Sequence, residues 1–308
     1  MTLQCSNDTL LTAQEFSEQT ADAVQRPSIG LALGSGGASG LAHIAILQVF
    51  DELGIVPDRI TGSSIGAVIG GLYAAGLSAE VIKTIFASVA GTPMEALAGL
   101  ARSAVKLTDL MSVGRNSGGG LLDSHGLIEF LASFTEVKTF EQLRIPLQVV
   151  ATDYWTADCV ILESGSLFQA IEASIAVPGL FSAVRRNKQL LIDGGTSNPL
   201  PFDILQGQVD LVIAVDVSGN HTTDNGQDIG LSDMLFTSFK IMQQSITRQA
   251  LRHQPPDILL RPVVPGVRLL HFHRVNEILK CAEPVATVLR EQLKGILVSS
   301  LACTSKHT

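Results

Sequence analysis

Cysteine is scarce in this chain: Cys5, Cys159, Cys281 and Cys303 stand far apart and never form a C-x-x-C pair. That spacing offers neither a disulfide framework nor a zinc site, and it fits a reducing, intracellular setting. Charge is sparse too. Charged residues make up 16% of the chain and leave a net charge of -8, which argues against nucleic acid and against wholesale adsorption to an anionic bilayer. No apolar run is long enough to span a membrane; stretches such as Ala67 to Leu77 are short and broken by glycine. Any membrane contact is therefore expected to be peripheral, and the expected location is cytoplasmic. The N-terminus lacks the basic start and apolar core of a signal peptide, so residues 1–27 read as a loose polar leader. Internal repeats and low-complexity tracts are also missing. What is left is an apolar, glycine-bearing chain of 308 residues, 46% hydrophobic, enough to bury a sizeable core.

Along it, short apolar runs alternate with helical periodicities. Ile29–Leu33, Ile60–Ser63, Leu147–Thr152, Cys159–Leu162, Leu211–Val217 and Asp257–Leu260 have the length and content of buried strands. Helices are expected after Gly40, closing at Gly54, after Ser64, after Ser78, over Gly126–Phe134 and after Ser166. A long amphipathic helix is marked by Leu231, Leu235, Met242, Ile246 and Ala250, and a terminal one runs from Arg274 to Leu297 with Pro284 inside. Arg185-Arg186-Asn187-Lys188 between apolar neighbours has the layout of a hairpin tip, a solvated turn or a cationic contact for lipid headgroups. The alternation predicts an α/β fold, a three-layer α/β/α domain with a mostly parallel central sheet. One domain over residues 28–297 suffices, followed by a tail over 298–308.

Two glycine-bearing turns stand out. Gly62-x-Ser64-x-Gly66 has the spacing of a nucleophile elbow, in which small flanking residues let a strand turn sharply into a helix and expose the serine hydroxyl. Gly34-Ser-Gly-Gly-Ala-Ser-Gly40 lies between the first strand and the first helix, where its backbone N–H groups suit either a phosphate or an oxyanion. A dinucleotide fingerprint would need glycine where Ser39 stands, and no acidic residue ends the next strand. The apolar stretch from Gly91 to Gly120 reads either as a lid over a greasy substrate or as core-packing helices.

A serine needs a base. Asp193, ending a strand in Ile192-Asp193-Gly194-Gly195, sits where open α/β sheets place their sites. It serves either as the base in a Ser64–Asp193 dyad or as the middle member of a Ser64–Asp193–His271 triad, whose chain order matches the α/β-hydrolases. Asp216 is a competing carboxylate with the look of a structural site. His43, inside the first helix, reads as a local packing residue.

The ordered set Gly34-to-Gly40 with His43-Ile44, then Gly62-Ser-Ser-Ile-Gly66, then Asp193-Gly-Gly195 resembles the motifs of patatin-like phospholipases. Ala173-to-Phe181, Asn198-Pro-Leu-Pro201 and Val209-to-Val217 resemble bacterial members related to the esterase domain of neuropathy target esterase. The resemblance implies a Rossmann-like sheet, a Ser-Asp dyad without histidine, no metal or other cofactor, and hydrolysis of acyl esters in phospholipids or lysophospholipids. It implies Ser64 as nucleophile, Asp193 as its base, and Ser35, Gly36 and Gly37 as the oxyanion loop. Ser39 falls where the family usually carries arginine or lysine. That departure bears on recognition of a phosphate headgroup, and it motivates a second class of function, a lipid- or nucleotide-binding module with a degenerate site.

Overall fold

A computed structural model describes residues 26–88, 124–219 and 231–304. The stretch from Gly91 to Gly120 lies outside them, as do most of the expected leader and the last residues of the tail. Eight strands form one sheet: β1 (Ile29–Leu33), β2 (Arg59–Ser63), β3 (Leu147–Asp153), β4 (Cys159–Leu162), β5 (Val184–Arg186), β6 (Gln189–Asp193), β7 (Leu211–Val215) and β8 (Ile258–Leu260). Their order is β5-β6-β3-β2-β1-β7-β8, with β4 paired to β3. The pairs β1–β2, β1–β7, β2–β3 and β7–β8 are parallel, whereas β4, β5 and β6 join antiparallel.

Seven helices accompany the described strands: α1 (Ala42–Leu53), α2 (Ile65–Ala74), α3 (Ala79–Ser88), α4 (His125–Ala132), α5 (Leu167–Ser174), α6 (Leu231–His253) and α7 (Val275–Thr304). The period of two along β1 and β7 sorts their side chains onto two faces. Ile29, Leu31, Leu33, Ile213 and Val215 share one core with α1 and α7; Ala32, Val212 and Ala214 share another with Leu200, Phe202, Leu205 and the end of α6. Two buried faces make the three layers that the alternation predicts, and explain why the central strands are apolar throughout.

Local signals act as their chemistry requires. Gly54 closes α1 in the left-handed conformation at φ 64°, Ser166 caps α5 by accepting the Gln169 N–H, and Thr139 with Gln142 forms a capping box. Asn187 and Lys188, at φ 47° and 70°, make the two-residue turn of the β5–β6 hairpin. Two expectations need correction. The terminal helix does not stop at Leu297 but continues to Thr304. On α6 the expected apolar stripe is covered only in part: Ala250 packs on the second core and Ile246 is half-buried, but Leu235 and Met242 are each 57% exposed, while Gln243 and Thr247 are buried. Phe236 and Phe239 face the interior of the molecule, packed with Val177, Leu180 and Phe181. This helix has apolar residues on two sides, so periodicity alone could not say which side the body of the protein would cover.

Candidate active site

β1 and β2 run side by side in parallel, with Leu33 opposite Gly62, so the turns that follow them emerge together at the carboxyl edge of the sheet. The contact is backbone to backbone. A Cβ on Gly66 would fall 2.1 Å from the Leu33 carbonyl oxygen, and one on Gly62 would fall 2.7 Å from the Ala67 backbone. Only hydrogen fits at either position. Between them Ser64 holds φ 53° and ψ -122°, a conformation that costs a non-glycine residue on the order of 1–3 kcal/mol and is commonly stored at functional sites.

Ser174, at the end of α5, holds the elbow in that shape. The Ser64 N–H donates to Ser174 Oγ at 2.9 Å, and the Ser174 hydroxyl donates onward to the Val150 carbonyl at 2.6 Å. β3 also sets the distance to the carboxylate. Ser63 pairs with Val150 and Asp193 with Ala151, so the Ser64 turn and the Asp193 carboxylate leave β2 and β6 at consecutive rungs of one strand. A Cβ on Gly194 would meet the Val150 carbonyl oxygen at 2.1 Å and Ser63 Oγ at 2.9 Å, which is why glycine follows the aspartate.

Asp193 is fully buried. Its Oδ1 accepts the Gly195 N–H at 2.7 Å, and its Oδ2 has no partner of normal hydrogen-bond geometry among the described residues. Burial pushes its pKa up to about 7, against the opposing pull of the Ser64 hydroxyl and the Gly195 N–H. Ser64 is thus within reach of the carboxylate but not closed onto it; catalytic hydrogen bonds commonly tighten only when substrate arrives. A carboxyl group that titrates near neutrality is a competent general base.

The glycine loop divides its donors. Gly34 N–H is taken by the Val215 carbonyl at 3.1 Å, Ser35 N–H by Pro199 at 2.8 Å and Ala38 N–H by Leu269 at 2.8 Å. The N–H groups of Gly36 and Gly37 have no acceptor among the described residues. Both positions demand glycine. A Cβ on Gly36 would lie 2.6 Å from the Val217 carbonyl oxygen, and Gly37 combines φ 58° with a Cβ position 2.5 Å from Leu269. Ser35 therefore drops out as a backbone donor, although its Oγ stays buried and has no partner among the described residues. Ser39 sits in the short 3-10 turn Gly37–Leu41, is 3% exposed, and does not line the pocket.

Beneath the loop lies His43, fully buried, whose Nε2 donates to the Gly34 carbonyl at 2.8 Å. Burial lowers its pKa to about 4, so it is a neutral strut for the first residue of the loop. The other sequence candidates have their own partners. Asp216 accepts from the Ser218 hydroxyl at 2.7 Å and from Arg261 at 3.1 Å, a structural arrangement. His271 Nδ1 accepts the Arg268 N–H at 3.2 Å. Its neighbours Leu270 and Phe272 line the pocket, but the groups that shift Asp193 are Ser64 and Gly195, with no histidine among them.

Ser64 opens into a pocket of about 610 Å³ of empty space, part of it open to solvent. Val68, Phe86, Leu131, Ile175, Leu180 and Phe181 make much of its wall, and Ser64 supplies the one polar side chain among the described lining residues. Gly37 completes the lining beside it. Such a wall suits a hydrocarbon chain delivered to a serine. Sequence reasoning missed both Ser174 and the wall, which comes from separate segments.

Among the described residues there is no group of three His, Cys, Asp or Glu side chains that could hold a metal, and no helix long and apolar enough to cross a membrane.

The sequence pattern of the Patatin-like phospholipase family matches residues 31–205. An uncharacterized NTE family protein of Mycobacterium tuberculosis is 36% identical over 196 residues, covering 63% of this chain and 50% of that protein. Patatin-like phospholipase domain-containing protein 6 of Mus musculus is 30% identical over 200 residues, covering 64% of this chain and 14% of that protein. Among solved structures, VipD from Legionella pneumophila matches at a TM-score of 0.49 and 15% identity, over 87% of this chain and 67% of that one. The match spans 50% of that mycobacterial protein and 35% of another NTE family protein of Mycobacterium tuberculosis.

Proposed function

The chain belongs to the patatin-like phospholipase family, and on that premise we propose that it is a serine acyl-ester hydrolase acting on amphiphilic lipid, a phospholipid or lysophospholipid, through a Ser64–Asp193 dyad. The observation that carries this is the pairing of a strained serine, the one polar side chain among the described residues of an apolar pocket, with a buried carboxyl that titrates near neutrality.

The acyl chain lies in the pocket with its ester carbonyl over Ser64. Asp193 takes the hydroxyl proton as Ser64 Oγ attacks, and the N–H groups of Gly36 and Gly37 receive the charge that develops on the carbonyl oxygen. The alcohol portion leaves with the proton returned by Asp193. Water, deprotonated by the same carboxylate, then releases the fatty acid and restores the serine. Ser64 begins α2, so the positive end of that helix faces the developing oxyanion as well. With Ser39 buried, no cation from the loop meets a headgroup phosphate, so discrimination rests on the acyl chain and the ester.

Ser64→Ala should abolish labelling by a fluorophosphonate probe, and retained labelling would refute the serine assignment. His271→Asn separates the dyad from the triad, because only the triad loses turnover. A binding module would retain fatty acyl chains yet never turn over short p-nitrophenyl esters.

A further inference from the structure

The carboxyl edge of the sheet carries an exposed group that the dyad does not use. Tyr154 and Trp155 follow directly on β3 and are 54% and 73% exposed, their rings meeting edge to face with centroids 4.9 Å apart. Exposed aromatic side chains of this size are uncommon on a free surface, and tryptophan and tyrosine are the residues most at home between water and hydrocarbon. β6 runs antiparallel to β3, and the Tyr154 N–H donates to the Leu190 carbonyl at 2.8 Å. The β5–β6 tip therefore projects past the same edge, beside the aromatic pair. It carries Arg185 and Lys188, both exposed and neither ion-paired among the described residues. Arg186 is different: it is committed to the Ser164 and Ser166 carbonyls and serves the scaffold. The neighbouring turn carries two acids, exposed Asp158 and buried Asp153, the latter held by the Trp155 and Thr156 N–H groups; Arg185, Arg186 and Lys188 together leave positive charge in excess at the tip.

Lys188 occupies a position at φ 70° where glycine would be at ease. A charged side chain is thus held at the tip against the local backbone preference.

We infer that Tyr154, Trp155, Arg185 and Lys188 form one docking edge for a phospholipid surface that carries anionic headgroups, presenting the edge where Ser64 lies to the bilayer. The aromatic rings enter the headgroup boundary and the two cations meet phosphates. A chain of net charge -8 is repelled by such a surface in most orientations, so the cationic tip selects one. The inference rests on the proposal that the substrate is amphiphilic lipid, but its test does not need hydrolysis.

Trp155 is the only tryptophan in the chain, so its emission reports on this edge alone. Full-length protein is mixed with vesicles of ether-linked phosphatidylcholine, with and without ether-linked phosphatidylglycerol, which an ester hydrolase cannot cleave. The expected result is a blue-shifted emission and co-sedimentation with the anionic vesicles. Arg185→Gln with Lys188→Gly should weaken partitioning roughly 30-fold, the effect of two cations at a charged surface. The glycine relieves backbone strain, so loss of the fold is not expected, and turnover of a short soluble ester should be unchanged. Emission that does not move with either vesicle would leave the edge to another occupant, such as a protein, and overturn the inference. So would undiminished binding by the double variant, or an equal loss of soluble-ester turnover. A failed Ser64 labelling experiment would sink the hydrolase proposal and leave the vesicle result standing.

Discussion

The Ser64 N–H and the Ser174 hydroxyl oxygen lie 2.9 Å apart, and through Ser174 the elbow is tied to the Val150 carbonyl. One buried hydroxyl thus joins the end of α5 to the turn that carries Ser64 and to the strand that sets its distance from Asp193. Ser174→Ala would orphan a buried N–H and a buried carbonyl together. The expected cost is about 2–4 kcal/mol, read as a lower urea midpoint. Turnover should fall by up to about 100-fold from misplacement of the serine, with KM changing far less. Unaltered kcat in a folded variant would dismiss the positioning role.

Asp193 should make the protein less stable where it is most active. Its pKa rises on folding from an ordinary 3.8 to about 7, so the folded state holds a proton that the unfolded chain has released. Stability is greatest below the unfolded value and declines as pH rises through about 7, by roughly 4 kcal/mol at 1.4 kcal/mol per pH unit. Asp193→Asn should therefore be inactive yet melt at a higher temperature than the wild type at pH 8, with the difference fading near pH 4. In the wild type, kcat/KM should climb with pH along a limb centred near 7. Calorimetry and a pH–rate profile check the two halves independently.

His43 works in the opposite direction. Burial depresses its pKa from 6.5 to about 4, so the unfolded chain accepts a proton that the folded state refuses. Stability should drop by roughly 3 kcal/mol as pH falls from 6.5 to 4. His43→Gln removes that sensitivity, and its unfolding free energy should be flatter over this range even if lower at neutral pH. A slope equal to that of the wild type would contradict the buried neutral strut.

The elbow glycines should be far less forgiving than the helix-capping one. Gly66→Ala drives a Cβ to 2.1 Å from the Leu33 carbonyl oxygen, where backbone must move, and the soluble folded yield should collapse. Gly54→Ala meets nothing within 4 Å and carries only the strain of φ 64°, a cost of about 1 kcal/mol. Comparing the two thermal midpoints isolates close approach from backbone conformation.

These contrasts show which features were legible in the chain. The glycine loop, the elbow and Asp193-Gly194-Gly195 could be read because each is a local demand: a turn in which a Cβ collides with backbone admits glycine whatever surrounds it. The strands and the layer count followed for a similar reason, since continuous apolar runs need cover on both faces. His43 could be assigned a packing role from its place in α1, though nothing nearby in sequence indicated that it holds the Gly34 carbonyl.

What the chain alone determined, then, was the set of short segments and the residue types that tight turns and buried strands impose. Tertiary structure decided the rest: that Ser174 supports Ser64, that Ser35 loses its amide to Pro199 while Gly36 and Gly37 keep theirs, and that α6 buries Gln243 and Thr247 instead of Leu235 and Met242. It also gathered Val68, Phe86, Leu131, Ile175 and Phe181 around one serine. Periodicity marks an apolar face but carries no address for it, and a hydrogen bond between residues far apart in the chain exists only once the sheet has set their strands side by side.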